Sequence, residues 1–146
     1  MFKSPEDAYK YYNLGEDEVE LVIEGNHSDF VVDCKEHSYT YLIIPKTADG
    51  WKIGTGLDTK NIYNKFYDGI SIDVYQYKNT EDYYITIFDT RGVKISIFDD
   101  YDTEFVFLEN KEEKIVTYYG FIPKFNSQYD LEINGNKIEL RKLTAF

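Results

Sequence analysis

Residues 69–88 read GISIDVYQYKNTEDYYITIF, two runs of strand-forming residues on either side of a polar turn. Apolar and polar side chains alternate from Ile70 to Tyr77, which is typical of a strand with one buried face. The turn Lys78-Asn79-Thr80 leads into a second run from Tyr83 to Phe88. The two runs predict consecutive strands and therefore a fold that is built on a sheet.

The same rhythm continues to the C-terminal end of the chain. Asn134-Gly135 is the strongest two-residue hairpin signal in it. Short strands at a spacing of about 8–12 residues predict a β-sandwich-like unit of immunoglobulin-like size. The predicted strands are Ile70–Tyr77, Tyr83–Phe88, Val93–Phe98, Glu104–Leu108, Ile115–Phe121, Gln128–Ile133 and Lys137–Leu140.

A helix is predicted near the N-terminus. Ser4 is a good N-cap, Pro5 suits the first helical position, and Gly15 is a natural stop. A helix of about three turns needs a sheet to lie on. Its predicted packing stripe is formed by Ala8, Tyr9 and Tyr12, with Tyr11 as a further candidate.

Strands are also predicted between this helix and the sandwich-like unit. They cover Val19–Glu24, Phe30–Cys34 and Tyr39–Ile44, with Pro45 ending the third and Asp49-Gly50 turning the chain before Trp51. Residues 58–67 fit either a strand or a short helix, and a strand or loop is the favoured interpretation. The fold class is therefore predicted as α+β and mostly antiparallel β. In this prediction, residues 1–65 form a helix on a β-meander and residues 66–146 form the sandwich-like unit, with one continuous domain as the alternative.

The composition limits the classes of partner. The chain has 146 residues, of which 42% are hydrophobic and 18% aromatic, and its formal net charge is −11 with a pI of about 4.6. An acidic field repels phosphate backbones, so nucleic acid is not expected as a partner. A basic protein is the charged partner that this composition favours. The oligomeric state stays open.

The sequence also bears on compartment and on cysteine chemistry. Residues Met1–Asp7 lack the apolar run of a signal peptide, and no run of residues is long and apolar enough for a membrane helix. The chain as written is expected in the cytoplasm, or outside it if an export signal has been removed. Cys34 is the single cysteine, and its alternating apolar context predicts a small buried hydrophobe.

The acidic run from Asp99 to Glu104 is the most conspicuous cluster of charge. Taken from Asp100, it fails the EF-hand pattern, because Phe105 and Lys111 occupy the positions of the required glycine and glutamate. It predicts a solvated turn and a candidate binding site for a basic partner, formed by Asp99, Asp100, Asp102 and Glu104. No metal or cofactor is predicted, since His27 and His37 flank a strand and are expected far apart.

The tyrosines suggest a second kind of surface. In the doublets Tyr83-Tyr84 and Tyr118-Tyr119, one ring of each pair is expected outside the core, because neighbours in a strand point to opposite faces. Tyr75 and Tyr77 share the more polar side of their strand. Exposed tyrosines can stack on sugars or anchor a protein partner, so Tyr75 and Tyr77 are candidate binding residues.

The helix start Ser4-Pro5-Glu6-Asp7-Ala8 and the hairpin Asp49-Gly50-Trp51-Lys52, followed by the β unit, resemble a known arrangement. It is that of small uncharacterised proteins of Gram-positive bacteria, many of them lipoprotein-like or secreted. The resemblance implies an envelope location and carries no site residues with it. The chain departs from these proteins in having no lipobox or signal.

Three hypotheses of function follow from the sequence. The first is a non-catalytic protein-interaction module of the inhibitor or immunity type, with an acidic, tyrosine-rich β surface. The second is a carbohydrate- or ligand-binding module of the cell envelope. The third is a small hydrolase that uses a carboxylate pair such as Asp100 and Glu104, although no sequence feature prefers any one pair.

Overall fold

The computed structural model describes residues 1–12, 19–35, 38–53, 57–110, 114–125 and 128–141. Within these ranges it contains one short helix and twelve strands, and every strand pairing with a described register is antiparallel. The predicted α+β, mostly antiparallel β class is therefore confirmed. The chain forms two compact units, of which the first is Met1–Lys60 with Tyr77–Asp82 and the second is Asn61–Gln76 with Tyr83–Phe146.

In chain order the bounds of the elements are α1 Pro5–Tyr12, β1 Val19–Glu24, β2 Ser28–Lys35, β3 Ser38–Thr47, β4 Gly50–Trp51, β5 Thr59–Tyr67, β6 Ile70–Tyr77, β7 Tyr83–Asp89, β8 Ile97–Asp99, β9 Val106–Asn110, β10 Ile115–Ile122, β11 Tyr129–Ile133 and β12 Asn136–Leu140. The strands lie in three sheets, with strand orders β1-β2-β3-β4, β5-β6-β7-β10-β9 and β12-β11-β8.

Helix α1 lies on the meander of the first unit, as predicted. The Ser4 hydroxyl accepts a hydrogen bond from the Asp7 amide at 3.0 Å, which is the expected N-cap. Ala8 and Tyr9 are buried in a cluster with apolar side chains of β2 and β3. The predicted stripe is too wide, because Tyr11 and Tyr12 are exposed. Gly15, the predicted stop, lies outside the described residues.

Strand β3 runs past Pro45, so the prediction that this proline ends the strand is wrong. Pro45 pairs with Ser28, and β3 continues through Lys46 and Thr47 to form the hairpin with β4. A proline lacks only the amide donor, and its φ angle suits an extended chain. Its carbonyl still accepts a hydrogen bond from the Lys52 amide at 2.9 Å, which explains why the strand tolerates it.

The segment Tyr77–Asp82 belongs to the first unit, where it is fixed by one buried carboxylate. Asp82 is fully buried. It accepts hydrogen bonds from the amides of Asn26 and His27 at 3.1 and 2.7 Å and from the Ser28 hydroxyl at 2.7 Å. All three donors lie at the turn that leads into β2. The buried carboxylate therefore has its own hydrogen-bond partners and ties Asp82 to the start of β2.

The second unit is sandwich-like, because its five-stranded and three-stranded sheets share one apolar core. The core takes alternate side chains from both sheets, as predicted from the period of two. Its buried members from the three-stranded sheet are Tyr129, Leu131, Ile133, Ile138 and Leu140, and those from the central strands of the five-stranded sheet are Ile70, Ile72, Val74, Tyr83, Ile85, Ile87, Val116, Tyr118 and Ile122.

The predicted strand Val93–Phe98 is wrong in its first half, since β8 covers only Ile97–Asp99. The backbone amides of the residues just before β8 donate to side chains instead of to a neighbouring strand. The Ile95 amide donates to the Tyr118 hydroxyl at 2.9 Å, and the Ser96 amide donates to the Asn134 side chain at 3.0 Å. Alternation alone cannot reveal these partners, which lie 23 and 38 residues away.

The tyrosine doublets follow the predicted direction but not the expected exposure, and the burial prediction for Cys34 is wrong. One ring of each doublet, Tyr84 and Tyr119, lies outside the core cluster as predicted, but it is buried like its neighbour. On the face opposite the core, Tyr84 packs edge-on against Phe121 at 5.7 Å between ring centroids. Cys34, in contrast, is exposed near the end of β2, beyond the last core side chain of that strand.

Candidate functional site

The outer side of the three-stranded sheet in the second unit collects acidic side chains. On β11, Tyr129, Leu131 and Ile133 enter the core, so Asp130 and Glu132 project outward. On β12, the buried Ile138 and Leu140 leave Lys137 and Glu139 on the same outer side. We call this surface the acidic face and define it by Phe98, Asp100, Asp130, Glu132, Lys137 and Glu139.

Strand register brings these side chains together. Glu132 of β11 lies directly opposite Phe98 of β8 on one side and Lys137 of β12 on the other. Asp130 lies directly opposite Glu139, and like charges in this position destabilise the strand pairing. The Gln128 amide nitrogen donates to Asp130 at 2.8 Å, and exposed Arg141 is 3.6 Å from Glu139. These surface contacts relieve only part of the repulsion.

A shallow groove of about 220 Å³ runs across the acidic face. The acidic face contributes four carboxylates and one ammonium group to it, a formal charge of −3, and Asp99, a further lining residue, holds its carboxylate against Tyr129 and Thr103. One wall is Phe98, whose side chain is 63% exposed. The lining residues are Phe98, Asp99, Asp100, Asp130, Leu131, Glu132, Lys137 and Glu139.

Of the predicted acidic cluster, Asp99 has a structural role. Its carboxylate accepts hydrogen bonds from the amides of Tyr101 and Thr103 at 3.0 and 2.9 Å, and also from the hydroxyls of Thr103 and Tyr129. The pKa of the Tyr129 phenol is raised, mainly by burial and secondly by its hydrogen bond to Asp99. Tyr129 therefore stays a donor, and Asp99 fixes the turn that ends at Thr103.

The other members of the cluster separate. Asp100 is exposed and lines the groove, next to the strand that carries Phe98. Asp102 and Glu104 are exposed and do not line it. Asp102 has a φ of 51°, a left-handed conformation that a short polar residue tolerates in a turn. The cluster thus contributes Asp100 to the acidic face, while Asp99 holds the turn beside it.

The two predicted tyrosines have different environments. Tyr75 is half-buried on β6, whereas the Tyr77 side chain is only 7% exposed. The exposed row that was predicted from Tyr75 and Tyr77 therefore does not form. The Lys78 ammonium group lies over the Tyr77 ring, 5.5 Å from its centroid.

The described part of the chain also bears on metal binding and on membrane crossing. There, no group of three or more histidine, cysteine and acidic side chains could hold a metal ion. His27 is described, while His37 lies outside the described residues. No described helix has the length and apolar character that would take it across a bilayer.

Sequence reasoning missed Phe98, Asp130, Glu132 and Glu139 as members of one surface. The alternation in the predicted strands Gln128–Ile133 and Lys137–Leu140 placed the acidic residues of each strand on one side. The Asn134-Gly135 turn also predicted that these two strands pair. Only the pairing of β8 with β11, which adds Phe98, had no signal in the sequence.

The chain was compared with protein-family models, with curated proteins and with solved structures, and none of them matches it. The resemblance to small lipoprotein-like or secreted proteins of Gram-positive bacteria is therefore still a prediction.

Proposed function

We propose that the protein is a non-catalytic interaction module that binds a basic protein through the acidic face of its second unit. The observation that carries this proposal is the groove in which four carboxylates and one lysine of the acidic face surround an exposed phenylalanine. An inhibitor or immunity-type role, in which the module covers a basic site of its partner, is the sharpest form of the proposal.

The groove suits an arginine or lysine side chain of the partner. The aliphatic stem of such a residue can pack on Phe98 while its charged end pairs with Asp130 and Glu139. These two carboxylates repel each other in the free protein, so a cation between them relieves an existing cost. The net charge of −11 adds long-range attraction that raises the association rate at low salt.

The test is affinity capture from lysate and culture fluid of the source organism at low and high salt, with mass spectrometry of the bound proteins. Wild type is compared with the double variant Asp130→Asn/Glu139→Gln and with Phe98→Ala. The control is Asp102→Asn/Glu104→Gln, which removes the same two charges outside the groove. We expect a basic partner that salt releases and that only the groove variants lose, with Phe98→Ala weakening binding by about 2 kcal/mol.

Three outcomes would contradict the proposal. Capture of no protein would remove the partner, and a partner retained equally by all variants would place the binding surface elsewhere. Loss of binding in the control alone would move the surface to the turn around Asp102. The groove variants are expected to fold. Phe98 is exposed, and the double variant removes the repulsion between Asp130 and Glu139.

A further inference from the structure

The outer side of the hairpin β5–β6 in the second unit carries a separate group of side chains. On β6, Ile72 and Val74 enter the core, so Asp73 and Tyr75 face outward. The Asn64 side chain contacts Asp73 and lies on the same side, as does Phe66 two residues further along β5. We call this surface the hairpin patch and define it by Asn61, Asn64, Phe66, Asp73 and Tyr75.

The polar groups of the hairpin patch are held in place by one another. The Asp73 Oδ1 atom accepts hydrogen bonds from the side-chain amides of Asn61 at 3.1 Å and Asn64 at 2.5 Å. The side-chain oxygen of Asn61 in turn accepts from the Tyr63 amide at 3.2 Å. Among the described residues, no hydrogen bond reaches Asp73 Oδ2 or Asn64 Oδ1. Two oriented acceptors therefore remain for a ligand.

An exposed ring adjoins these acceptors. The Phe66 side chain is 64% exposed, although it lies two residues from an ordered polar network. A pyranose ring is complementary to this arrangement. Its apolar face of axial C–H groups matches the exposed ring, and its rim of hydroxyl donors matches the acceptors. Aromatic rings pack on such a face while fixed carboxylate and amide oxygens accept from the hydroxyls.

The geometry points to the hairpin patch as a binding site for an uncharged β-linked glucan or chitin-type oligosaccharide. Gluco-configured sugars carry their substituents equatorially, which leaves both ring faces apolar and suits stacking on Phe66. An uncharged glycan is specified because the net charge of −11 repels anionic polysaccharides. The site lies on the five-stranded sheet and does not depend on the acidic face, which belongs to the three-stranded sheet.

The test is electrophoresis in native gels that contain hydroxyethyl cellulose, glycol chitin or soluble starch. We expect hydroxyethyl cellulose or glycol chitin to retard the wild-type chain. Phe66→Ala should weaken the apparent affinity roughly tenfold, as expected for the loss of one stacking ring. Asp73→Ala should do the same by removing the fixed acceptor. Phe107→Ala is the matched control, since Phe107 is an exposed phenylalanine on the edge strand β9 of the same sheet.

The outcomes separate cleanly. Retardation that is lost with Phe66→Ala and kept with Phe107→Ala supports the site. Three results overturn it: no retardation in any of the three gels, retardation by starch alone, or equal retardation of wild type and Phe66→Ala. Because Phe66 is exposed, its replacement is expected to leave the urea midpoint of unfolding close to that of wild type. A urea titration of each variant checks that lost binding is not lost folding.

Discussion

At the scale of single residues, the Asp82 carboxylate determines how the turn before β2 is held. It is fully buried and accepts three hydrogen bonds, two from backbone amides and one from the Ser28 hydroxyl. Asp82→Ala leaves these donors without their acceptor, and we expect a loss of about 3 kcal/mol in the free energy of unfolding. Urea titration measures it against Glu81→Ala, whose exposed side chain is expected to matter by less than about 0.5 kcal/mol. Equal stability of the two variants would show that the turn does not depend on Asp82.

Tyr129 gives a residue-scale prediction with a pH dependence. Burial and then the hydrogen bond to Asp99 raise the pKa of its phenol in the folded protein. As pH rises above about 10, the phenol of the unfolded chain ionises while that of the folded chain stays protonated, so this contribution to stability is present below pH 10 and is lost above it. Tyr129→Phe removes the contribution together with the bond to Asp99, and we expect it to cost about 1.5 kcal/mol at pH 7.

The measurement for Tyr129 is the free energy of unfolding of wild type and Tyr129→Phe in urea, at pH 7 and at about pH 10.5. The gap between the two proteins should narrow at the higher pH. Burial also raises the pKa of Tyr63, but this residue is common to both proteins and cancels from the gap. A gap of the same size at both pH values would contradict the raised pKa of the Tyr129 phenol.

At the scale of elements, two turns between strands require glycine for different reasons, the hairpin turn at Gly135 and the turn after β7 at Gly92. Gly135 has a φ of 84°, and nothing lies within 4 Å of a Cβ built on it, so Gly135→Ala costs only the left-handed conformation, about 1 kcal/mol. Gly92 has a φ of 68°, and a Cβ there would lie 2.3 Å from the Lys114 carbonyl oxygen. Gly92→Ala should therefore destabilise clearly more than Gly135→Ala in urea titrations. The reverse order would mean that the chain near Lys114 moves aside without cost.

The strands also show which parts of the fold can be predicted from the sequence and which cannot. Alternation predicted β6 as Ile70–Tyr77 with both ends correct, because one face of β6 is buried along most of its length. Local rules failed where a distant group intervened. Pro45 stays in β3 because the Lys52 amide uses its carbonyl, and residues 93–96 leave the sheet because Tyr118 and Asn134 bind their amides. For the same reason the acidic face was predicted only in part, since the partner of β8 lies 32 residues further along the chain at Leu131.

At the scale of the whole molecule, the two proposed sites occupy the two outer sides of one sandwich-like unit. The sheets share a core, so the acidic face and the hairpin patch point away from each other. Binding at one is therefore expected to leave the other accessible, and free energies of binding at sites without shared partners usually add within about 0.5 kcal/mol. The chain should act as a link between a basic protein and an uncharged glycan.

This prediction is tested with the captured partner and the glycan gel together. Retardation is the difference in migration between a gel with glycan and a gel without it. Hydroxyethyl cellulose or glycol chitin should retard the complex of the chain with its basic partner as strongly as it retards the chain alone. The complex of the Phe66→Ala variant should form but migrate without retardation, because that change leaves the acidic face intact. Competition between glycan and partner would instead mean that both ligands use one surface, since sites on opposite sides of a shared core have no common residue through which to exclude each other.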